Sequence, residues 1–318
     1  MKIVKPSFEV WERDEQRGGL ETIERAGRLC YKSEPGKTPE SAEKFVRGLI
    51  RSHHNSVLEH GDMIFEIGDY HIYEYVADAL QMIRDTGEQP PMLEMTRIGG
   101  RCIVSGNIRA WRELFASANS AGSYFIGHFD PVYVEGYGFY DEDMVGKPDE
   151  RIRQVFYRDL HEPCEMKAHI RQTVHFVCDR GVQNEFVRHR TQSFSVESTR
   201  YVDYSNDKFD VTVIEPCFFE PESEEWWVWK RQCMSAETAY DTLRRVKKRQ
   251  PQECRSVLNM STKSEMAVTA NLRSWRHFFN LRALQTTGPA HPQAVELAAP
   301  LMEEMAILYP DVFGIDKQ

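Results

Sequence analysis

Between residues 188 and 201 the chain reads Arg-His-Arg-Thr-Gln-Ser-Phe-Ser-Val-Glu-Ser-Thr-Arg-Tyr, its densest run of anion-binding and hydrogen-bonding groups. Arg188, Arg190 and Arg200 are permanently charged forks suited to phosphate or to an electron-rich ring. Ser193, Ser195, Ser198 and Thr199 add hydroxyls. If the segment is a loop, its backbone N–H groups can also turn inward and form an anion-binding concavity. His189 sets a flat, titratable ring between two cations. Residue by residue such a cluster is more often a solvated basic turn, so its meaning depends on the rest of the chain.

A second concentration lies in residues 265–282. Its broadly apolar positions (Met266, Val268, Leu272, Trp275, Phe278, Phe279, Leu281) predict one long buried helix. Arg273 and His277 are four apart on one face of it, whereas Arg282 is nine positions beyond Arg273 and nearly opposite. Buried arginines need partners, so this arrangement points to anionic ligands or subunits on both sides, or to side chains snorkelling to water. A third stretch, His53-His54-Asn55-Ser56-Val57-Leu58-Glu59-His60, has metal-ligand types in His54, Glu59 and His60. No cysteine or second carboxylate stands at ligand spacing, so no metal is expected, and the plain reading is a helix-to-strand turn.

Together these stretches carry a resemblance. Arg-His-Arg, seven residues and then Ser198, followed by Thr-Arg-Tyr, resembles the signature of flavin-dependent thymidylate synthases. Asn271, Arg273, His277, Leu281 and Arg282 resemble that family's Asn-x-Arg-x-x-x-His/Asn-x-x-x-Leu-Arg. Ser56, Glu59 and His60 resemble its His-x-Ser/Thr-x-x-Glu-His segment, and His291-Pro292-Gln293 its His-x-Gln, displaced by a few inserted residues.

The resemblance implies FAD contacts from Ser56, Glu59, Arg188, His189, Arg190, Asn271, Arg273, His277 and His291. It implies dUMP contacts from Glu185, Arg188, Glu197, Ser198, Arg200, Arg255 and Arg282. Ser198 and Arg282 would be catalytic, Arg282 favouring ionisation at the uracil ring. The implied reaction is reductive methylation of dUMP to dTMP, with 5,10-methylenetetrahydrofolate as carbon donor, NADPH as reductant and FAD as relay. The implied assembly is a homotetramer with shared active sites. Two departures stand out: Ser195-Val196-Glu197-Ser198 replaces the usual Asn-Glu-x-Ser, and Glu185 replaces a common glutamine.

Composition sets the outer limits. A chain of 318 residues with 41% hydrophobic residues can bury a large core. A net charge of −9 argues against a sequence-independent nucleic-acid binder, so any phosphate site must be local. Seven widely spaced cysteines without a Cys-x-x-Cys pair point to reduced thiols. With no apolar signal segment and no membrane-length apolar run, a cytoplasmic protein is expected, with no membrane and no stable nucleic-acid partner.

The elements that must position the three stretches are read from periodicity and breakers. Residues 3–10 predict an edge strand containing Pro6, and helices are expected from Leu20 to the 32–36 break and over 41–52. Strands are expected at 63–67, 167–178 and 209–214, with a short helix over 182–188 and a surface helix over 232–249 ending in a basic cluster. Trp226, Trp227 and Trp229 read as core or interface packing. The resemblance implies an α+β, ThyX-like fold, with a mixed or antiparallel sheet and long helices, in a single domain over 1–318.

Residues from about 68 to 165 depart from the compact family pattern as an elaboration or insertion. It holds a helical start at 70–84, a Pro-Pro break at 90–91 and a loop-like run over 122–150. Within it, Asn107-Ile-Arg-Ala-Trp-Arg-Glu-Leu-Phe115 matches Asn271-Leu-Arg-Ser-Trp-Arg-His-Phe-Phe279 at five positions. A degenerate internal repeat and a chance likeness of two amphipathic helices both account for this. Three rival functions are a cysteine-nucleophile methylase using Cys164 or Cys217, neither with an evident base beside it, a flavoprotein making another C5 modification such as hydroxymethylation, and a non-catalytic nucleotide- or RNA-binding module.

Overall fold

The computed structural model describes residues 1–33, 38–117, 120–135, 146–206 and 210–314. The chain starts with two short strands, β1 (Lys2–Val4) and β2 (Ser7–Val10), where one was expected. Lys5-Pro6 separates them, and they go to different sheets, because Pro6 has no N–H to continue a ladder. Helices α1 (Leu20–Leu29) and α2 (Pro39–Arg51) follow as expected, burying Ile23 and Ala26, and Leu49 and Ile50. The break at 32–36 lies partly outside the described residues.

A 3-10 turn over Asn55–His60 leads into β3 (Asp62–Ile67). Then come α3 (Tyr70–Asp85), β4 (Leu93–Ile98), β5 (Arg101–Asn107) and α4 (Ile108–Ala116). The single turns α5 (Ser123–Ile126) and α6 (Pro131–Val134) and the strand β6 (Ile152–Gln154) follow. Residues 136–145 of the expected loop-like run lie outside the described residues. Strands β4, β5, β3 and β6, in that order, form an antiparallel sheet. Its core gathers Phe65, Trp111, Phe115, Phe125 and Tyr133.

The stretch 167–178 is not one strand. Helix α7 (Pro163–His169) ends first, and β7 (Arg171–Asp179) begins after it. Next come α8 (Arg180–Phe186), β8 (Ser193–Val196), β9 (Thr212–Ile214) and α9 (Glu224–Asp241). Phe209 of the expected 209–214 strand lies outside the described residues. Helix α9 starts eight residues earlier than the surface helix expected from 232, and a π-turn over Thr242–Val246 closes it. It buries Trp226 and leaves Trp227 exposed.

The largest correction concerns residues 265–282. After the single turn α10 (Pro251–Cys254), they divide into β10 (Lys263–Asn271) and α11 (Leu272–Arg282). Strand β10 lies between β7 and β8, and eight of its nine residues are buried, so its apolar residues (Met266, Ala267, Val268, Ala270) do not alternate with exposed ones and read equally as part of a buried helix. Asn271 marks the boundary, its side chain accepting from the Ser274 N–H as the N-cap of α11. Helices α12 (Pro292–Leu308) and α13 (Pro310–Phe313) complete the chain.

The second antiparallel sheet runs β2-β7-β10-β8, and β1 and β9 form a separate parallel pair. Phe176, Phe186, Trp275, Phe278 and Phe279 fill the core between the second sheet and its helices. No helix among the described residues is long and apolar enough to cross a membrane.

Candidate active site

The stretch 188–201 brackets a strand. Asp179 caps α8 by accepting from the Val182 N–H at 2.7 Å, and the helix ends at Phe186, just before Arg188. Strand β8 then interrupts what was expected to be a loop. Its hydroxyls face inward: the Ser195 Oγ lies 2.9 Å from the His60 Nε2, and the Ser193 Oγ accepts from Arg171 at 3.3 Å. Past β8 the chain turns at Ser198, whose N–H donates to the Cys30 carbonyl at 3.0 Å and whose Oγ accepts from the Arg200 N–H at 3.3 Å. Arg-His-Arg and Ser-Thr-Arg thus stand at opposite ends of a four-residue strand.

At the first end, Arg282 in the last turn of α11 donates from Nε to the His189 Nε2 at 3.3 Å. Its guanidinium also pairs with the Glu185 carboxylate and donates to the Glu185 carbonyl at 3.2 Å. The buried His189 ring packs 5.0 Å from Phe278 and 5.9 Å from His277. Burial, with the Arg282 and His277 charges adding to it, brings the His189 imidazole down to about 4. The ring is therefore neutral near pH 7. With Nε2 accepting from Arg282, its proton sits on Nδ1. Arg188 and Arg190 are exposed beside it.

At the second end, Glu197 is fully buried. Its carboxylate accepts from the Tyr204 hydroxyl and lies 3.2 Å from the Lys263 Nζ and 3.4 Å from the Lys32 Nζ. Lys263 also pairs with Glu265, which lies 3.3 Å from the His175 Nε2. Burial pulls the Lys263 ammonium down, but the Glu197 and Glu265 charges outweigh it and leave it raised. Burial and the neighbouring Lys263 lower Lys32. The His175 contact and the two lysines hold the Glu265 carboxyl far below the usual range. Beside this knot, Arg255 donates to the Thr199 Oγ1 at 3.3 Å, and Arg200 lies over the Tyr201 ring. Tyr201 packs 5.3 Å from Tyr31, which lines a cleft of about 700 Å³ with Arg28, Lys44, Phe45 and His54.

The predicted residues are thus brought together in part. Glu185, His189, His277 and Arg282 form one cluster, and Ser198, Arg200 and Arg255 another. Glu197 was expected at the nucleotide but has its oxygens engaged within the chain. Asn271 spends its carbonyl on the α11 cap and donates its amide to the Ala168 carbonyl at 3.2 Å, so the fold already uses both groups. Arg273 is paired with Glu94 at 2.5 Å. Ser56 is exposed in the 3-10 turn, and Glu59 is paired with Arg109 at 2.8 Å. His291 is exposed at the start of α12, 5.8 Å from the Phe218 ring.

The sequence reading gave His60 no contact of its own and did not single out Lys32, His175, Lys263 or Glu265. The available signal was Lys263 and Glu265 standing two apart just before the Met266-Ala267-Val268 run. A cavity of about 490 Å³ lined by Trp11, Arg13, Arg17 and Arg25 contains none of the predicted residues.

These side chains fit a bound flavin and nucleotide. The Gln192 amide, inside the 188–201 stretch, is buried with neither its Nε2 nor its Oε1 partnered, and so lacks the donor and acceptor a heterocycle edge could supply. The neutral His189 ring and the exposed forks of Arg188 and Arg190 suit a flat, phosphate-bearing group. Among the described residues no group of three or more His, Cys, Asp or Glu is placed to hold a metal.

Comparison with known proteins gives the same direction. Flavin-dependent thymidylate synthase from Pyrococcus furiosus is 31% identical over 130 residues, covering 41% of this chain and 51% of that protein. The Pyrococcus abyssi enzyme of the same description is 31% identical over 182 residues, covering 57% of this chain and 70% of its own. The Mycobacteroides abscessus enzyme is 30% identical over 149 residues, covering 42% and 57%. The chain therefore spans about half the length of the first of these relatives.

Among solved structures, a UMP/dUMP methylase, PolB from Streptomyces cacaoi bound with 5-Br dUMP, aligns with 98% of this chain and 95% of its own. Its TM-score of 0.42 and 14% identity are too low to carry an argument. The family model described as "Thymidylate synthase complementing protein" matches residues 14–73 and 138–311, which include all three chemistry-bearing stretches. With well over half of its length matched, the chain belongs to the thymidylate synthase complementing protein family.

Proposed function

We propose that this protein reductively methylates dUMP to dTMP, taking the carbon from 5,10-methylenetetrahydrofolate and the reducing equivalents from NADPH. The observation that supports it best is the Arg282–His189–Glu185 contact, which joins the two family stretches in one site. FAD, when bound, relays reducing equivalents to the one-carbon unit. Arg188 and Arg190 hold its anionic part, and the neutral His189 ring offers a flat face and an Nδ1–H donor. Ser198, Arg200 and Arg255 take the nucleotide, whose phosphate is answered by arginine forks.

Arg282, oriented by the Glu185 carboxylate, lies against the uracil ring and stabilises negative charge as it develops there. The proton leaving C5 is replaced by the methyl group. Glu197 acts as a positioning residue, fixing the turn at Ser198 through Lys32, Lys263 and Tyr204. Arg273 and Arg282, placed differently on α11, suit a homotetramer with shared active sites. The free cysteines suit a cytoplasmic setting. The test is reconstitution: purified protein should take up FAD and turn yellow, and protein that cannot bind FAD would contradict the proposal.

A further inference from the structure

The likeness between 107–115 and 271–279 extends through the architecture of the chain. The segment β3-α3-β4-β5-α4 (62–116) follows the same course as β7-α8-β8, then β10-α11 (171–282), and the sheet orders β4-β5-β3-β6 and β8-β10-β7-β2 correspond position by position. The pair Asp62–Asn107 matches Arg171–Asn271, which fixes the alignment. Under it, Asn107 and Asn271 cap their helices from Ala110 at 2.8 Å and Ser274 at 2.9 Å, with backbone angles of −70°/162° and −70°/161°. The Trp111 and Trp275 indoles donate to the equivalent carbonyls of Met63 and Gln172, at 3.3 and 3.0 Å.

His60 lies 2.7 Å from the Thr269 hydroxyl and 2.9 Å from that of Ser195. Its counterpart His169 lies 2.7 Å from both Ser105 and Thr96, the hydroxyls at the equivalent positions of the other sheet. The leading strands are exchanged. β6 runs into β7 but pairs with β3, and β2 comes before β3 but pairs with β7. Two chance-alike helices do not explain a shared register, shared caps and reciprocal histidines.

The units differ where the chemistry lies. Counting from the aligned residues Glu94 and Ser193, Arg188-His189-Arg190 corresponds to Gln89-Pro90-Pro91, and His277 to Glu113. The first unit therefore lacks the Arg-His-Arg cations of the second, although it keeps Arg109 at the Arg273 position. Instead, its edge strand β4 reaches across. The Glu94 carboxylate pairs with Arg273 and lies 3.5 Å from the Asn271 amide, whereas the aligned Ser193 offers no carboxylate to Arg109.

We infer that the chain is two diverged copies of one unit, that only the second holds a flavin site, and that Glu94 of the first limits flavin affinity at that site because it occupies Arg273. The inference rests on the flavin reading above. A ligand phosphate drawn to Arg273 must displace a carboxylate already there. Because Arg273 and Glu94 are both exposed, at 58% and 40%, the exchange costs little and is sensitive to salt.

The test is titration of the purified full-length protein with FAD, followed by flavin fluorescence, for the wild type and for Glu94→Gln, at low and high salt. Expected are one FAD per chain and a dissociation constant roughly two- to fivefold lower in Glu94→Gln at low salt, as for removal of one exposed like charge. That gain should shrink at about 0.5 M salt. Two FAD per chain would overturn the assignment of a single site. Unchanged or weaker binding in Glu94→Gln, or a gain independent of salt, would overturn the role of Glu94. A wild-type protein that binds no FAD would instead overturn the flavin reading itself, and this inference with it.

Discussion

Arg282 and His189, 93 residues apart in sequence, meet through an Arg282 Nε–H donated to the His189 Nε2 at 3.3 Å. The bond is consistent only with a neutral imidazole, and the burial of His189 beside the Arg282 guanidinium enforces that state. It couples the Arg-His-Arg stretch to the end of α11.

His189 should stay neutral across the working pH range. With its value in the fold near 4 and that of an unfolded histidine near 6.5, the unfolded chain binds more protons between the two. His60, lowered to about 3 by burial and then by Arg171, and His169, lowered to about 4 by burial and then by Arg273, act in the same sense. Stability should therefore be full above about pH 6.5 and fall as the pH drops toward 4. Urea unfolding at a series of pH values, with histidine NMR titration, checks this. Midpoints that rise on acidification through this window would contradict it.

Glu197→Gln should destabilise the protein by about 3–5 kcal/mol, because it leaves buried Lys263 without its main counter-charge. A Glu197→Gln, Lys263→Met double variant should recover part of the loss, since it removes both charges. Denaturant midpoints of the two single variants and the double variant make the comparison. A double variant no better than the sum of the singles would show that the two residues do not act as a pair.

Arg255→Ala and Arg200→Ala should each raise the KM for dUMP by about tenfold or more, the loss expected for a charge-assisted phosphate contact, with a smaller fall in kcat. Arg282→Lys should behave differently. It keeps the charge but loses the fork shared by Glu185 and His189, and kcat should fall by about 100-fold or more. Steady-state kinetics separate the two patterns, and an Arg282→Lys enzyme with wild-type kcat would remove Arg282 from the chemistry.

Much of the site could be read from sequence because its signals are local. Arg188 to Arg200 lie within one short segment, and Asn271, Arg273, His277 and Arg282 keep their spacing whatever precedes them. The nature of residues 265–271 could not be read, because a strand buried on both faces has no alternation to separate it from a buried helix. Nor could the Lys32–Glu197–Lys263 knot, since nothing local to Lys32 anticipates a partner 165 positions away. The match of Asn107–Phe115 to Asn271–Phe279 was visible, but its reach became clear only when the two sheets showed the same strand order.

The central claim is tested most directly with dUMP tritiated at ring position 5, because substitution at C5 releases that label. With FAD, NADPH and 5,10-methylenetetrahydrofolate all present, the protein should release tritium and form dTMP, and omitting NADPH or the folate should abolish product. Absence of release from FAD-loaded protein, or release accompanied by a hydroxymethyl product, would contradict it.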